Sequence, residues 1–381
     1  MSVQPIILVG PMPPPIDGQS MAFGLLARGL SSESGDTSIV NINRPSDGFA
    51  RSRVARVLDY LRFIGIFLGQ LVRHPGANVY LTVAQSRAGF VRDVVFIGLA
   101  RLARRKIVIH VHGGNYDGFY RSQPAALRWL IRRILSWTSV IIVLAERLCS
   151  MFDFDPKLAL RIHVVPNGLP GDTPPYTPVT PPREGEPFRV LFLSNLIESK
   201  GYLEVIEAAG LLVRSGIDIR LDLCGEFRAN PSDDRRVCSA EQARRLAEDI
   251  ILSQGLCEQV HLRGVVSGAD KDQLLSHCHV LVLPTRYDAE GQPLAIIEAM
   301  AWGRPVITTD YRGIPDLVED GVTGYLLATA EPNLIADHIR RLVSRPDLLA
   351  SMGAASRARF EARFSSRAHL QAMELILRAN R

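Results

Sequence analysis

Short apolar segments alternate with helical stretches along this chain of 381 residues, and the alternation runs twice, once on each side of a proline-rich break. In the first half the apolar segments cover 5–10, 79–83, 107–112 and 139–144, with helical patterns such as 19–30, 54–72 and 125–136 between them. Residues 169–187 read LPGDTPPYTPVTPPREGEP, whose seven prolines cannot hold a helix and favour extended backbone. Beyond it, strand patterns at 189–193, 219–224, 260–263, 280–284 and 305–309 alternate with helical ones at 202–215, 240–254, 269–276 and 294–302. Strands separated by helices need crossover connections, so each half should form a parallel sheet covered by helices on both faces. The expected fold class is therefore α/β, with two Rossmann-like doubly wound domains. The expected boundaries are 1–168, a linker at 169–187 and 188–361.

A chain of this length exceeds what a single core usually organises, and 47% hydrophobic with 22% charged residues fits a folded globular protein. The five cysteines include no CxxC pair, which favours free thiols in a reducing compartment over a disulfide framework. The first residues lack a basic start and a cleavage site, and the apolar runs carry Arg or Asp too often to span a bilayer. A cytoplasmic location is expected. Charge is uneven: residues 1–170 hold 20 Lys+Arg against 10 Asp+Glu, whereas 171–381 hold 24 against 29. A basic first half fits nucleic acid, anionic lipid or phosphorylated acceptors, and equally a solvated arginine-rich face. No aromatic-basic recognition motif accompanies it, so nucleic acid is not expected as a partner.

The strongest motif lies in 286–327, where RYDAEGQPLAIIEAMAWGRPVI sets Glu290 and Glu298 across a loop-to-helix junction. Pro293 suits the start of a helix, leaving the N–H groups of Leu294 and Ala295 free for phosphate oxygens. Glu298 lies further along that helix, within reach of a ribose beside the phosphate, while Glu290 precedes it and can meet a sugar. Vicinal hydroxyls are good donors to a carboxylate. In these elements the chain resembles the retaining glycosyltransferases of family 4, with the GT-B fold, whose signature is two glutamates separated by seven residues, then Ala-Met-Ala and a Gly-Pro-Val-Ile strand. Here these are Glu290, Glu298, EAMA and GRPVI.

The resemblance implies two domains facing across a cleft, a UDP- or GDP-sugar donor, and no metal or other cofactor. It assigns Glu290, with the adjoining Gly291 and Gln292, to the donor sugar and Glu298 to the ribose. The loop SNLIESKGY looks like the family's Lys-Gly diphosphate motif, with Lys200 as the cation and Asn195 where many members carry arginine. In PMPPPIDGQS, Gly18 and Gln19 stand where the family's proline-glycine loop approaches the phosphates, Gln19 replacing a second glycine. Val265, in 263–266, marks the nucleobase position. His112, after the strand KIVIHV, corresponds to the family's histidine beside sugar and acceptor, and Asn115 and Tyr116 just beyond could touch the acceptor. Alternation puts His110 and His112 on one strand face, so one of them should be structural. The catalytic set implied is His112, Glu290 and Lys200, and a final helix at 354–380 should cross back onto the first domain from about 362.

Asp153-Phe154-Asp155 mimics a metal-binding DxD motif but falls outside the loops expected to carry the chemistry. Residues 124–137, PAALRWLIRRILSW, form a basic amphipathic pattern that suits docking on an anionic membrane surface or core packing with an exposed arginine face. The EGQPL variant looks more like members that build exopolysaccharide or surface glycans, which implies hexose transfer to a lipid-linked saccharide at the inner face of the plasma membrane. Two other readings remain: a nonhydrolysing nucleotide-sugar epimerase, against which EAMA argues, and a non-catalytic sugar-nucleotide-binding regulator. The latter draws on Asn195, Gln19 and Arg312, where glycine is common.

Overall fold

The structure, a computed structural model, describes residues 4–33, 36–43, 53–230, 234 and 236–379. It divides into two compact units, one of Met1–Asp172 with Phe364–Arg381 and the other of Thr173–Arg363.

The first unit runs β1 (Ile6–Gly10), α1 (Gly18–Glu33), β2 (Thr37–Asn41), α2 (Arg53–Arg73), β3 (Asn78–Val83), α3 (Arg87–Leu102), β4 (Ile107–Val111), α4 (Tyr116–Arg121), α5 (Ala125–Leu135), β5 (Val140–Val143) and β6 (Ile162–Val164). All strands are parallel, in the order β2-β1-β3-β4-β5-β6. Alternation sorts each strand between two cores: Ile7 and Val9 enter the one under α2, α3 and α5, and Ile6 and Leu8 the one under α1. Being buried on both faces is why these strands read as unbroken apolar runs.

The second unit runs β7 (Phe188–Leu193), α6 (Tyr202–Arg214), β8 (Ile219–Cys224), α7 (Ala240–Ser253), β9 (Val260–Gly264), α8 (Gly268–His277), β10 (Val280–Leu283), α9 (Leu294–Ala301), β11 (Val306–Thr309), β12 (Gly324–Leu327), α10 (Pro332–Ser344) and α11 (Pro346–Arg363). Its parallel order is β12-β11-β10-β7-β8-β9. The chain winds one way from β7 to β9 and the other way from β10 to β12. The order therefore reverses between the neighbours β7 and β10, and ligands of such sheets bind beyond the strand ends at this reversal.

Two α/β units of doubly wound type are as the sequence indicates. The final helix is not. Instead of one helix over 354–380 there are α11 and α12 (Ser366–Arg378), parted at Phe364 and Ser365. Ser365 caps α12 by accepting the Ala368 N–H at 3.2 Å, and Phe364 is fully buried. Serine competes for backbone donors at a helix start, and the helical pattern across 354–380 hides that stop. α12 packs on α1, where a Cβ on Gly29 would fall 2.4 Å from Leu370. Lys106 donates to the carbonyls of Ala379 and Ile376 at the end of α12, a cation on unsatisfied C-terminal carbonyls.

The proline-rich stretch is not wholly free of the second unit. Arg304 donates to the Thr177 carbonyl at 3.1 Å, Arg357 to that of Pro174 at 2.9 Å, and Val179 is buried against Gly353. The edge strands β2 and β6 were not evident from the sequence because each is short and half-exposed.

Candidate active site

The loops leaving β7 and β10 carry the expected residues and bring two of them into contact. After β7 the chain makes a single 3-10 turn over Glu198–Lys200, then Gly201 adopts a left-handed backbone (φ 84°) that opens α6. After β10, Thr285 and Glu290 follow on the neighbouring loop. Lys200 Nζ lies 2.5 Å from Glu290 Oε2, and the Thr285 hydroxyl donates to the same oxygen at 3.0 Å. Lys200 also sits 4.6 Å from the centre of the Tyr287 ring. Both partners are largely buried, so the pair is shielded from the screening that weakens surface ion pairs. Among the described residues nothing donates to Glu290 Oε1, which leaves that oxygen open to a hydroxyl donor.

Pro293 caps α9 with no side-chain hydrogen bond, so the first amides, Leu294 and Ala295, keep their N–H groups for an anion beside the site. Gly291 and Gln292 are buried between the glutamate and this helix start. One turn on, Glu298 is held by Lys271 of α8, Nζ to Oε1 2.6 Å, and again its second oxygen is open. The sequence reading missed Lys271 and Thr285: neither lies in a motif, and only the approach of Lys271 on α8 to Glu298 on α9 and the path of β10 put them there. Val265 is exposed next to Gly264, which is itself in a left-handed conformation (φ 66°). A cavity of about 580 Å³ beside this turn is lined by Arg263, Val266 and Asp270 but by neither Lys200 nor Glu290. Asn195 is exposed at the end of β7. Arg312 adopts a left-handed backbone (φ 49°), which explains why glycine suits the position, and its guanidinium lies 2.7 Å from Asp288.

In the first unit, Gly18 opens α1 after Asp17, which accepts the Ser20 N–H at 2.8 Å while the Ser20 hydroxyl accepts the Asp17 N–H. No atom lies within 4 Å of a Cβ built on Gly18, so the backbone there is approachable; Gln19 follows in the first turn. His110 and His112 stack with ring centres 4.0 Å apart, as their shared strand face requires. His110 is the structural member, its Nδ1 2.8 Å from the Tyr80 hydroxyl. His112, just past β4, is partly exposed as a residue, yet both ring nitrogens are shielded and have no hydrogen-bond partner among the described residues. Burial, followed by the proximity of His369, pushes its pKa down to about 3.

Two acceptor candidates have other occupations. Asn115 caps α4, its carboxamide oxygen accepting the Gly118 N–H at 3.1 Å. Tyr116 is a core residue, stacked on Phe152 with ring centres 5.1 Å apart. The Asp153-Phe154-Asp155 motif is structural too, since Asp155 accepts the Lys157 N–H and pairs with Arg132.

The depressed His112 has a measurable consequence. Folded, it stays neutral far below the 6.5 of an ordinary imidazole, so below pH 6.5 the unfolded chain binds the extra proton and stability falls with pH until about pH 3. The slope is at most ~1.4 kcal/mol per pH unit from this residue. Urea unfolding of His112→Gln between pH 7 and 4 should show a shallower decline than the wild type; equal slopes would mean that the ring protonates freely.

Residues 179–359, nearly all of the second unit, match the family model described as glycosyl transferases group 1. Among curated proteins, the chain is 25% identical over 264 residues to alpha-D-kanosaminyltransferase of Streptomyces kanamyceticus, covering 66% of this chain and 64% of that one. It is 27% identical over 198 residues to the amylovoran biosynthesis glycosyltransferase AmsK of Erwinia amylovora, covering 51% and 45%. The matches thus span less than two thirds of these relatives' lengths. Among solved structures, Anabaena HepE in complex with UDP superposes with a TM-score of 0.71 at 19% identity, over 98% of this chain and 99% of that one. The likeness shows the fold, two Rossmann-like domains of the GT-B kind.

Proposed function

We propose that this protein is a retaining, metal-independent glycosyltransferase that moves a hexose from a UDP- or GDP-sugar to a lipid-linked saccharide during polysaccharide or surface-glycan synthesis. The observation that carries the reading is the Lys200–Glu290–Thr285 cluster at the strand-order reversal of the second unit, next to the uncapped start of α9. A departing nucleoside diphosphate builds negative charge on phosphate and oxocarbenium character on the sugar, and fixed dipoles and charges are what lower that barrier. Lys200 and the amides of Leu294 and Ala295 would hold the phosphate, Glu290 Oε1 a sugar hydroxyl, Glu298 the ribose, and the turn at Val265 the base. Gly18, Gln19 and His112 would act from the first unit, and the departing phosphate would accept the acceptor's proton on the face it leaves. That relatives include amylovoran and kanosamine transferases, and that HepE binds UDP, supports a nucleotide-sugar donor. Residues 124–137 would touch an anionic membrane at the inner face of the plasma membrane.

Lys271 has a distinct part in this reading. Because it ties Glu298 to α8, Lys271→Met should raise the donor KM about fivefold while leaving kcat nearly unchanged, the pattern of lost ground-state binding. A fall in kcat alone would remove the ribose role from Glu298.

The first experiment is nucleoside diphosphate release from a panel of UDP- and GDP-sugars with bacterial lipid extract, with Glu290→Ala and Lys200→Ala alongside. Release from one donor that needs lipid and vanishes in both variants would support the reading. Donor binding without release would favour the regulator, and no binding would sink both.

A further inference from the structure

α2 carries two apolar stripes where an ordinary surface helix has one. Phe63, Phe67 and Leu71 face the core, whereas Val57, Leu61, Leu68 and Val72 recur at spacings of four, seven and four on the opposite side and stand exposed. Gly65, between them, has open space around it and completes the row. α3 repeats the arrangement: Val91, Val95 and Leu102, again with a glycine, Gly98, in the row, are exposed while Phe90, Phe96, Ile97 and Ala100 are buried. The two helices pack side by side and bury their inner stripes in one core cluster, so the outer stripes belong to one layer. Val72 and Leu102 are 82% and 81% exposed, values that a stable monomer gains nothing by maintaining.

The charge around the stripes selects the occupant. Residues 57–104 contain six arginines and two aspartates. Of the aspartates, Asp93 is buried and paired with Arg92. Arg62 and Arg73 of α2 and Arg101 at the end of α3 are exposed. A second copy of this chain is a poor partner, because a twofold contact would set arginine against arginine with almost no carboxylate to answer it. A surface of anionic headgroups over an apolar interior matches both features. No helix among the described residues is long and apolar enough to cross a membrane, so α2, roughly 31 Å long at 1.5 Å per residue, would lie in the plane.

We infer that α2 and α3 form a docking face for an anionic lipid bilayer, their outer valines and leucines entering the acyl boundary and the flanking arginines meeting headgroup phosphates. As the route to a lipid-linked acceptor this rests on the proposed function; as a binding surface it stands on α2 and α3 alone. It extends membrane contact beyond residues 124–137, where Trp129 alone is a large exposed apolar side chain, and gives α2 and α3 the larger apolar share.

The test is flotation of the full chain with vesicles of phosphatidylcholine, alone or with about one third phosphatidylglycerol. The wild type should float with the anionic vesicles and lose binding as salt rises. Leu61→Glu/Leu68→Glu should bind about tenfold more weakly or worse, Arg62→Glu/Arg73→Glu should lose the preference for anionic lipid, and Leu160→Glu, at an exposed site elsewhere, should change nothing. Binding of UDP and GDP to the chain in the absence of vesicles, read by calorimetry on the same proteins, should be unchanged in the α2 variants, which separates this inference from the proposed donor site. No flotation, flotation indifferent to the leucine pair, or loss through Trp129→Glu alone would overturn it. So would a wild-type dimer on size exclusion that the leucine pair dissolves.

Discussion

Lys200→Met should lower stability by about 3 kcal/mol and restore most of it when combined with Glu290→Gln, because removing one member of a buried pair strands the other's charge. Glu290 is only 6% exposed, and without Lys200 its carboxylate keeps, among the described residues, only the Thr285 hydroxyl as a side-chain donor. A neutral amide at 290 removes the stranded charge and can still accept from Thr285. Activity should behave differently if the proposed reaction holds: both the single and the double variant should lose nucleoside diphosphate release by about 10³-fold, since neither would keep the cation proposed for the leaving phosphate. Urea unfolding and release assays on the same four proteins read the two effects apart. If Lys200→Met is as stable as the wild type, the pair is solvated. If the double variant regains turnover, Lys200 serves the fold and not the phosphate.

How much of this was legible beforehand depends on the distance over which the information lies. The strand–helix alternation is local and period-dependent, so the α/β class and two doubly wound units could be read directly. The EGQPLAIIEAMA stretch is local too, and it names Glu290, Glu298, Pro293 and the amides that follow. Contacts between distant segments were not legible. Lys200 and Glu290 are ninety positions apart and meet only because β7 and β10 are neighbours at the point where the strand order reverses. Taken alone, Lys200 reads as the cation of a Lys-Gly diphosphate motif, and its carboxylate partner is not visible in the sequence. Lys271 is a similar case, and its pairing with Glu298 depends on how α8 packs. Tyr116 shows the opposite error. Its place after a strand end suggested an acceptor contact, but its ring is part of the core with Phe152, a packing choice that the polar neighbour Asn115 obscured. The double stripe of α2 was present in the sequence as well, yet a helix apolar on two sides reads simply as buried until exposure separates the stripes.

Gly201 joins backbone to chemistry, and substituting it should be nearly as costly as breaking the ion pair. A Cβ there would fall 2.6 Å from the Pro284 carbonyl oxygen, a backbone atom just past β10 that cannot swing aside, and the residue holds φ 84°. Gly216, also left-handed at φ 78°, has nothing within 4 Å of its Cβ position, so it isolates the conformational part of the cost. Gly216→Ala should cost roughly 1 kcal/mol and leave activity untouched, whereas Gly201→Ala should cost about 3 kcal/mol, the excess being the forced separation of the two loops. That separation moves Lys200, the preceding residue, away from Thr285 and Glu290, which follow Pro284. A displacement near 1 Å at reacting groups typically costs about 10²-fold in rate, so the Gly201 variant should be slow even where it remains folded. Equal stability losses at the two glycines would show that the loops can part freely. Full activity in folded Gly201→Ala would mean that the close approach of the β7 and β10 loops is not what holds Lys200 beside Glu290.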